Sequence, residues 1–156
     1  MKNLWAPWRM DYILADKSGP CFICQAGGSD DDRKSHVVLR KDNAFALLNL
    51  YPYNNGHILI APYKHEGDIE KLGEEEMREM MELLVELKAK VDRIMNPHGY
   101  NVGFNLGHAS GAGLEGHLHM HLVPRWENDT NFMPVLGETK IIPQHLDEIW
   151  ESLTQG

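Results

Sequence analysis

The chain has 156 residues, 42% hydrophobic and 24% charged, the make-up of one globular domain with its own core. A formal charge of -8 excludes the broad basic field that non-specific binding of nucleic acid or anionic membrane requires, although a local pocket can still receive an anionic substrate. No segment reads as a signal peptide or a membrane span, so the cytoplasm is the expected compartment.

Residues 1–35 carry Pro7, Pro20, Gly27 and Gly28 and read as an irregular N-terminal arm, with residues 36–156 as the globular unit. The acidic run Asp30-Asp31-Asp32 is expected to be a solvated loop. The arm holds both cysteines, Cys21 and Cys24, spaced C-x-x-C. In a reducing compartment that spacing suggests metal binding or redox work rather than a structural disulfide. Redox pairs sit at the start of a helix that follows a strand, and the irregular context expected here favours metal.

Val37-Val38-Leu39 and Phe45-Ala46-Leu47-Leu48-Asn49-Leu50 predict strands. Pro52-Tyr53-Asn54-Asn55-Gly56 carries turn chemistry, and His57-Ile58-Leu59-Ile60-Ala61-Pro62 returns as the second arm of a hairpin. From Glu74 to about Met95 the residues Met77, Met80, Met81, Leu84, Leu87, Val91 and Ile94 recur at three- and four-residue steps, which predicts one long amphipathic helix with these side chains in the core. Pro97 and Gly99 stop it. A third strand is expected over 100–105, a glycine-rich loop over 106–113, a histidine-bearing strand after it, and a short helix over 144–153. Hairpin strands around one long helix indicate an α+β fold with a mostly antiparallel sheet of about five strands.

The histidine strand reads Gly116-His117-Leu118-His119-Met120-His121-Leu122-Val123. Side chains alternate across a strand, so three imidazoles share one face while Leu118, Met120 and Leu122 point into the core. Neutral imidazoles that protonate near pH 7 can attack, hold or protonate a phosphate. Histidines alternating on a strand can also ligate a metal, but Glu115 is the one carboxylate near the strand in sequence, short of a usual catalytic zinc set. The preceding loop, Gly107-His108-Ala109-Ser110-Gly111-Ala112-Gly113, lets backbone N–H groups approach a ligand closely, which suits a phosphate better.

The His117-Leu118-His119-Met120-His121-Leu122-Val123 segment resembles the signature of the histidine-triad family of nucleotide hydrolases and transferases, and residues 45–49, Gly56-His57, the long helix and Asn105-Leu106-Gly107 resemble family elements in family order. Leu4-Trp5-Ala6-Pro7-Trp8-Arg9, Asn49-Leu50-Tyr51-Pro52-Tyr53-Asn54, Asn101-Val102-Gly103-Phe104-Asn105-Leu106-Gly107 and Val123-Pro124-Arg125-Trp126 are similar to the bacterial diadenosine tetraphosphate phosphorylases within it. The resemblance implies that His119 attacks the α-phosphorus to form a nucleotidyl-histidine, with His121 on the phosphate, His117 completing the triad and His57 in support. It implies that Asn105, Gly107, Ser110 and Gly113 face the phosphates and that Asn49 grips the ribose. Alone, His57 reads as a strand-end histidine and Asn49 as a turn former. Leu39, Phe45 and Leu47 are either walls for adenine or plain core.

Many hydrolase members carry Gln, then Ser or Thr, where this chain has Gly113 and Leu114, which leaves space for inorganic phosphate as the acceptor. The expected activity is therefore phosphorolysis of diadenosine tetraphosphate to ADP and ATP. The alternatives are hydrolysis of dinucleoside polyphosphates or nucleoside phosphoramidates, a non-catalytic nucleotide-binding module, and a metal-dependent hydrolase. Several relatives complete a zinc site from a C-x-x-C pair and two histidines. Here those would be Cys21, Cys24, His65 and His117, with zinc in a structural role. Trp5 and Trp8 are expected as packing anchors, Lys64, Arg125 and Lys140 as candidates for the distal phosphates or ordinary surface charges, and a homodimer as the assembly.

Overall fold

The computed structural model describes residues 19–129 and 142–155; Trp5, Trp8 and Lys140 lie outside them. Along the chain run α1 (Phe22–Gly27), α2 (Asp32–Ser35), β1 (Val37–Arg40), β2 (Ala44–Leu48), β3 (Ile58–Pro62), α3 (Glu74–Met95), β4 (Gly99–Phe104), β5 (Met120–Arg125) and α4 (Leu146–Gln155). Single 3-10 turns stand at Ile69–Lys71 and His108–Ser110. The five strands form one antiparallel sheet in the order β1-β2-β3-β5-β4, the α+β arrangement expected. No helix among the described residues is long and apolar enough to cross a membrane.

One face of the sheet meets α3 and α4. Ala44, Ala46 and Leu48 of β2, Ile58 and Ile60 of β3, and Met120 and Leu122 of β5 pack there against Met80, Leu83, Leu87, Val91, Ile149 and Leu153. The Trp150 indole N–H donates to the Val37 carbonyl at 2.6 Å and ties α4 to β1. Alternate residues Phe45, Leu47, Leu59 and Ala61 turn to the other face, where Ile23 and Ala26 of α1 cover them. Strands buried on both sides read as continuous apolar runs, as β2 and β3 do.

Helix α3 keeps its expected limits. The Gly73 N–H donates to the Glu76 carboxylate at its start, and Asn96 takes the left-handed conformation at its end, where Pro97 blocks continuation. Its buried stripe is shifted from the expected one: Met80, Leu83, Leu87 and Val91 face the sheet with Leu84 at the margin, while Met81 and Ile94 are exposed. Buried Glu79 accepts the Asn43 and Ala44 N–H groups at 2.6 and 3.1 Å and anchors the start of β2.

Three other expectations are corrected. The stretch 19–35 is not irregular: Cys21 is the N-cap residue of α1, and Asp31 caps α2 by accepting the Lys34 N–H at 3.0 Å. Helix α1 has no side-chain cap and is held from its far end instead. There the Arg40 guanidinium donates to the Ala26, Gly27 and Ser29 carbonyls, at 3.1, 2.8 and 3.0 Å, and to the Asp32 carboxylate. Strand β5 begins only at Met120, so His117, in a bend, and His119 stand on the segment leading into it. The C-terminal helix starts two residues later than expected, at Leu146.

Candidate active site and an adjoining cysteine–histidine cluster

The histidine segment reaches β5 along a narrow passage. The Leu118 N–H donates to the Glu66 carbonyl at 2.7 Å, which locks the approach against the chain leaving β3. A side chain at Gly67 would place its Cβ 2.2 Å from the Glu115 carbonyl oxygen, so only glycine lets these two segments meet. The β3–β5 register then sets Leu59 opposite His121, and the β4–β5 register sets Gly103 opposite it on the other side.

The hydrogen positions follow from groups whose roles are fixed. The Tyr53 backbone N–H can only donate, and its partner at 3.0 Å is His57 Nδ1, so the hydrogen of neutral His57 sits on Nε2. His57 Nε2 lies 2.9 Å from His121 Nδ1, which accepts and leaves the His121 hydrogen on its own Nε2. The Asn105 amide nitrogen is 3.3 Å from that atom. Two donors thus face one another, and an anionic oxygen set against both satisfies them. His119 Nδ1 is 2.8 Å from the His117 carbonyl, to which it must donate, leaving a bare lone pair on Nε2. The His119 and His121 rings meet edge to face with centroids 5.0 Å apart.

All four imidazoles are buried, and burial disfavours the charged form. It pushes the pKa of His57 down to about 3, with His121 and His119 adding to the effect. It pushes His121 to about 4, helped by His119. His117 and His119 are lowered for the same primary reason. The set is neutral at pH 7, the state in which an imidazole nitrogen attacks phosphorus.

His117 turns away from this constellation. Its Nε2 donates to the Pro62 carbonyl at 2.9 Å, so the lone pair on Nδ1 points at Cys21 and Cys24 Sγ, each 3.4 Å away. His65 Nδ1 stands 3.2 Å from Cys24 Sγ, and the four donor atoms lie within 4.8 Å of one another. Bonds of about 2.3 Å to sulfur and 2.0–2.1 Å to nitrogen place tetrahedral ligands about 3.4–3.8 Å apart, so the cluster has the size, donor set and fixed histidine tautomer of a metal site. Burial and the neighbouring Cys21 raise the pKa of Cys24.

A family model for the HIT domain matches residues 31–128. The chain belongs to the HIT domain family. It is 36% identical over 154 residues to the AP-4-A phosphorylase of Mycobacterium tuberculosis, covering 94% of this chain and 79% of that one. Among solved structures it matches a histidine triad nucleotide-binding protein of Sulfolobus tokodaii at a TM-score of 0.68, with 21% identity over 86% of this chain and 90% of that one. It also matches a Zn-bound histidine triad protein of Mycobacterium smegmatis at 0.67, with 20% identity over 86% and 91%. These two likenesses concern the fold.

The expected residues divide. His57, His119, His121 and Asn105 converge, and Asn49 joins them with its Nδ2 3.2 Å from His57 Nδ1 and its Oδ1 accepting the Tyr51 N–H. Gly107 has φ 74° and opens the loop in a conformation that favours glycine. The Ser110 hydroxyl donates back to the Gly107 carbonyl at 2.7 Å, bracing the loop; Gly113 is half-buried. Phe45 and Leu47 share the triad's side of the sheet but are core: Phe45 is fully buried, stacked on Tyr63 at 4.8 Å. Leu39 packs on the α3 side, because an irregularity between Val37 and Leu39 shifts the β1 register. Lys64 donates to the Lys71 carbonyl, and Arg125 is paired with Asp129. Sequence reading missed Tyr53, whose N–H fixes the His57 tautomer and whose ring lies against His57 and His121; its place in the turn between Asn49 and His57 was the available signal.

Proposed function

We propose that this protein cleaves dinucleoside polyphosphates, diadenosine tetraphosphate foremost, by transferring AMP first to His119 and then to inorganic phosphate. The observation that carries the reading is the His119 Nδ1 contact with the His117 carbonyl, which leaves a bare, neutral Nε2 on a ring that meets the His121 ring edge to face. In the first step Nε2 forms a bond to the α-phosphorus while the bond from phosphorus to the bridging oxygen breaks, releasing ATP. His121 Nε2–H, Asn105 and the loop from Gly107 to Gly113 receive the charge on the phosphoryl oxygens, and Asn49 holds the ribose. In the second step a phosphate oxygen bonds to that phosphorus, the P–N bond breaks, and ADP leaves with His119 restored.

The similarity to an AP-4-A phosphorylase over most of both chains supports this reaction class, and the small Gly113 beside Leu114 supports phosphate rather than water as acceptor. Cys21, Cys24, His65 and His117 would hold zinc, which supplies structure by fixing the arm formed by residues 1–35 to the 36–156 domain that carries the triad. The exposed edge strand β4 favours a homodimer with the sheets joined across it. A reducing cytoplasm suits the free thiols.

The test is incubation with diadenosine tetraphosphate at increasing inorganic phosphate, with products identified. ADP plus ATP at a rate that rises with phosphate is the expected result. AMP plus ATP at a phosphate-independent rate makes water the acceptor and overturns the phosphorolytic reading.

A further inference from the structure

Beyond His121 the same face of the sheet continues into a recess that the chemistry at His119 does not use. Tyr53, Asn54, Asn101, Val123 and Arg125 line a cavity of about 240 Å³. The β4–β5 register pairs Asn101 with Val123 and Gly103 with His121, so the recess lies in line with the triad along β5. At about 3.3 Å per residue, Val123 lies about 7 Å and Arg125 about 13 Å past His121.

The walls have a definite chemistry. Tyr53 is 52% exposed, yet its ring is fixed by His57, with centroids 4.7 Å apart, and by His121, 5.6 Å away and only 18° from parallel. It is thus a held aromatic surface at the border between triad and recess. Val123 is buried beneath, an apolar floor. Arg125 donates to the Asn101 side-chain oxygen at 2.6 Å and to the Asp129 carboxylate at 2.6 and 2.7 Å. Asp129 matches the arginine's charge, so the recess is not an anion site. Among the described residues three of the five guanidinium N–H groups are engaged in these bonds. The Asn54 amide nitrogen is taken up by the Pro124 carbonyl and the Asp129 carboxylate, at 3.0 and 2.8 Å. A rigid aromatic edge, an apolar floor and the Asn101 amide beside a charge-balanced guanidinium suit a flat heterocycle with polar edges.

We propose that this recess is the subsite for the second nucleoside of a dinucleoside polyphosphate, with Tyr53 as its stacking surface. The inference rests on the function proposed above. With the α-phosphate at His119, the leaving polyphosphate departs on the side opposite the attacking nitrogen, and the strand offers the base a seat further along. Stacking of a base on an aromatic ring changes affinity by about ten- to a hundredfold on truncation, enough to separate substrates with two nucleosides from those with one.

The experiment measures binding, so it does not depend on turnover. In the full chain carrying His119→Ala, calorimetry compares diadenosine tetraphosphate with ATP. The expected result is about tenfold or tighter binding of the dinucleotide, an advantage that disappears when Tyr53→Ala or Asn101→Trp is added. Asn101 lies away from the core on β4, the strand proposed above to join a partner's sheet, so the oligomeric state of the bulky variant is measured beside its affinities and a lost advantage counts only where that state matches the wild type. Equal affinity for the two ligands, or an advantage that survives both variants, overturns the proposal. Failure of the parent reading shows up separately, as a wild-type protein that retains the dinucleotide advantage but turns nothing over.

Discussion

The two faces of the sheet put burial to opposite uses. Against α3 and α4, side chains such as Ile60, Leu87 and Leu122 exclude water from hydrocarbon, each contributing about 1.5–3 kcal/mol to stability. On the other face the apolar layer under α1 ends at β3, and from His57 across to His121 the buried groups are imidazoles. The register pair Leu59 and His121 marks the border within a single rung. Dehydration there removes the option of carrying a proton, which costs stability in acid and keeps the nucleophile bare. The fold is stabilised on one face, and that stability supports the reactive chemistry on the other.

Substitutions on the two faces should therefore separate activity from stability. The largest effect is expected from His119→Ala: a loss of turnover of about a thousandfold or more, equivalent to about 4 kcal/mol of barrier, with a melting temperature close to wild type. Single-turnover assays beside a thermal melt check both halves. Leu87→Ala should do the reverse, costing about 2–5 kcal/mol in denaturant unfolding while the kcat of the remaining folded protein stays unchanged.

Acid should weaken the imidazole face selectively. His57 and His121 have folded pKa values of about 3 and about 4, below the 6.5 of an unfolded histidine, so between those values the unfolded chain binds more protons. Stability is then full above about pH 6.5 and is lost as pH falls toward 4. By about pH 5.5 the two together cost about 3 kcal/mol, near 2–4 °C of melting temperature per kcal/mol. His57→Gln should flatten that slope, and an unchanged slope would assign it to other groups. The smallest effect is expected from Cys24→Ser, which should abolish stoichiometric metal in elemental analysis and lower turnover only severalfold; retained metal would reject the four-ligand set.

Much of this was legible because local signals agreed with the fold. Helix α3 declares itself through apolar residues at three- and four-residue steps and its end through Pro97, and the alternation from His117 to Leu122 separates imidazoles from core without any structure. Helix α1 escaped because nothing local makes it: six residues without a side-chain cap persist through Ile23 and Ala26 in the core and through Arg40, a residue 13 positions away from Gly27. The same limit explains Phe45 and Leu47, which sequence leaves between ligand wall and core until α1 is known to cover them. Met81 and Ile94 fit the helical spacing but sit off the contact line, since periodicity fixes a stripe only to within about one position. Backbone donors and acceptors, such as the Tyr53 N–H and the Pro62 carbonyl, set the imidazole tautomers and leave no trace in residue identity.

His117 gives its ring to one cluster and its carbonyl to the other. Thermodynamic linkage then applies: if an ion held by Cys21, Cys24, His65 and His117 alters the affinity of the His119 site for a nucleotide by some factor, the nucleotide must alter the affinity for the ion by the same factor. A chelator titration run with and without nucleotide would read that coupling directly, and zinc availability would become an input to nucleotide occupancy through one shared residue.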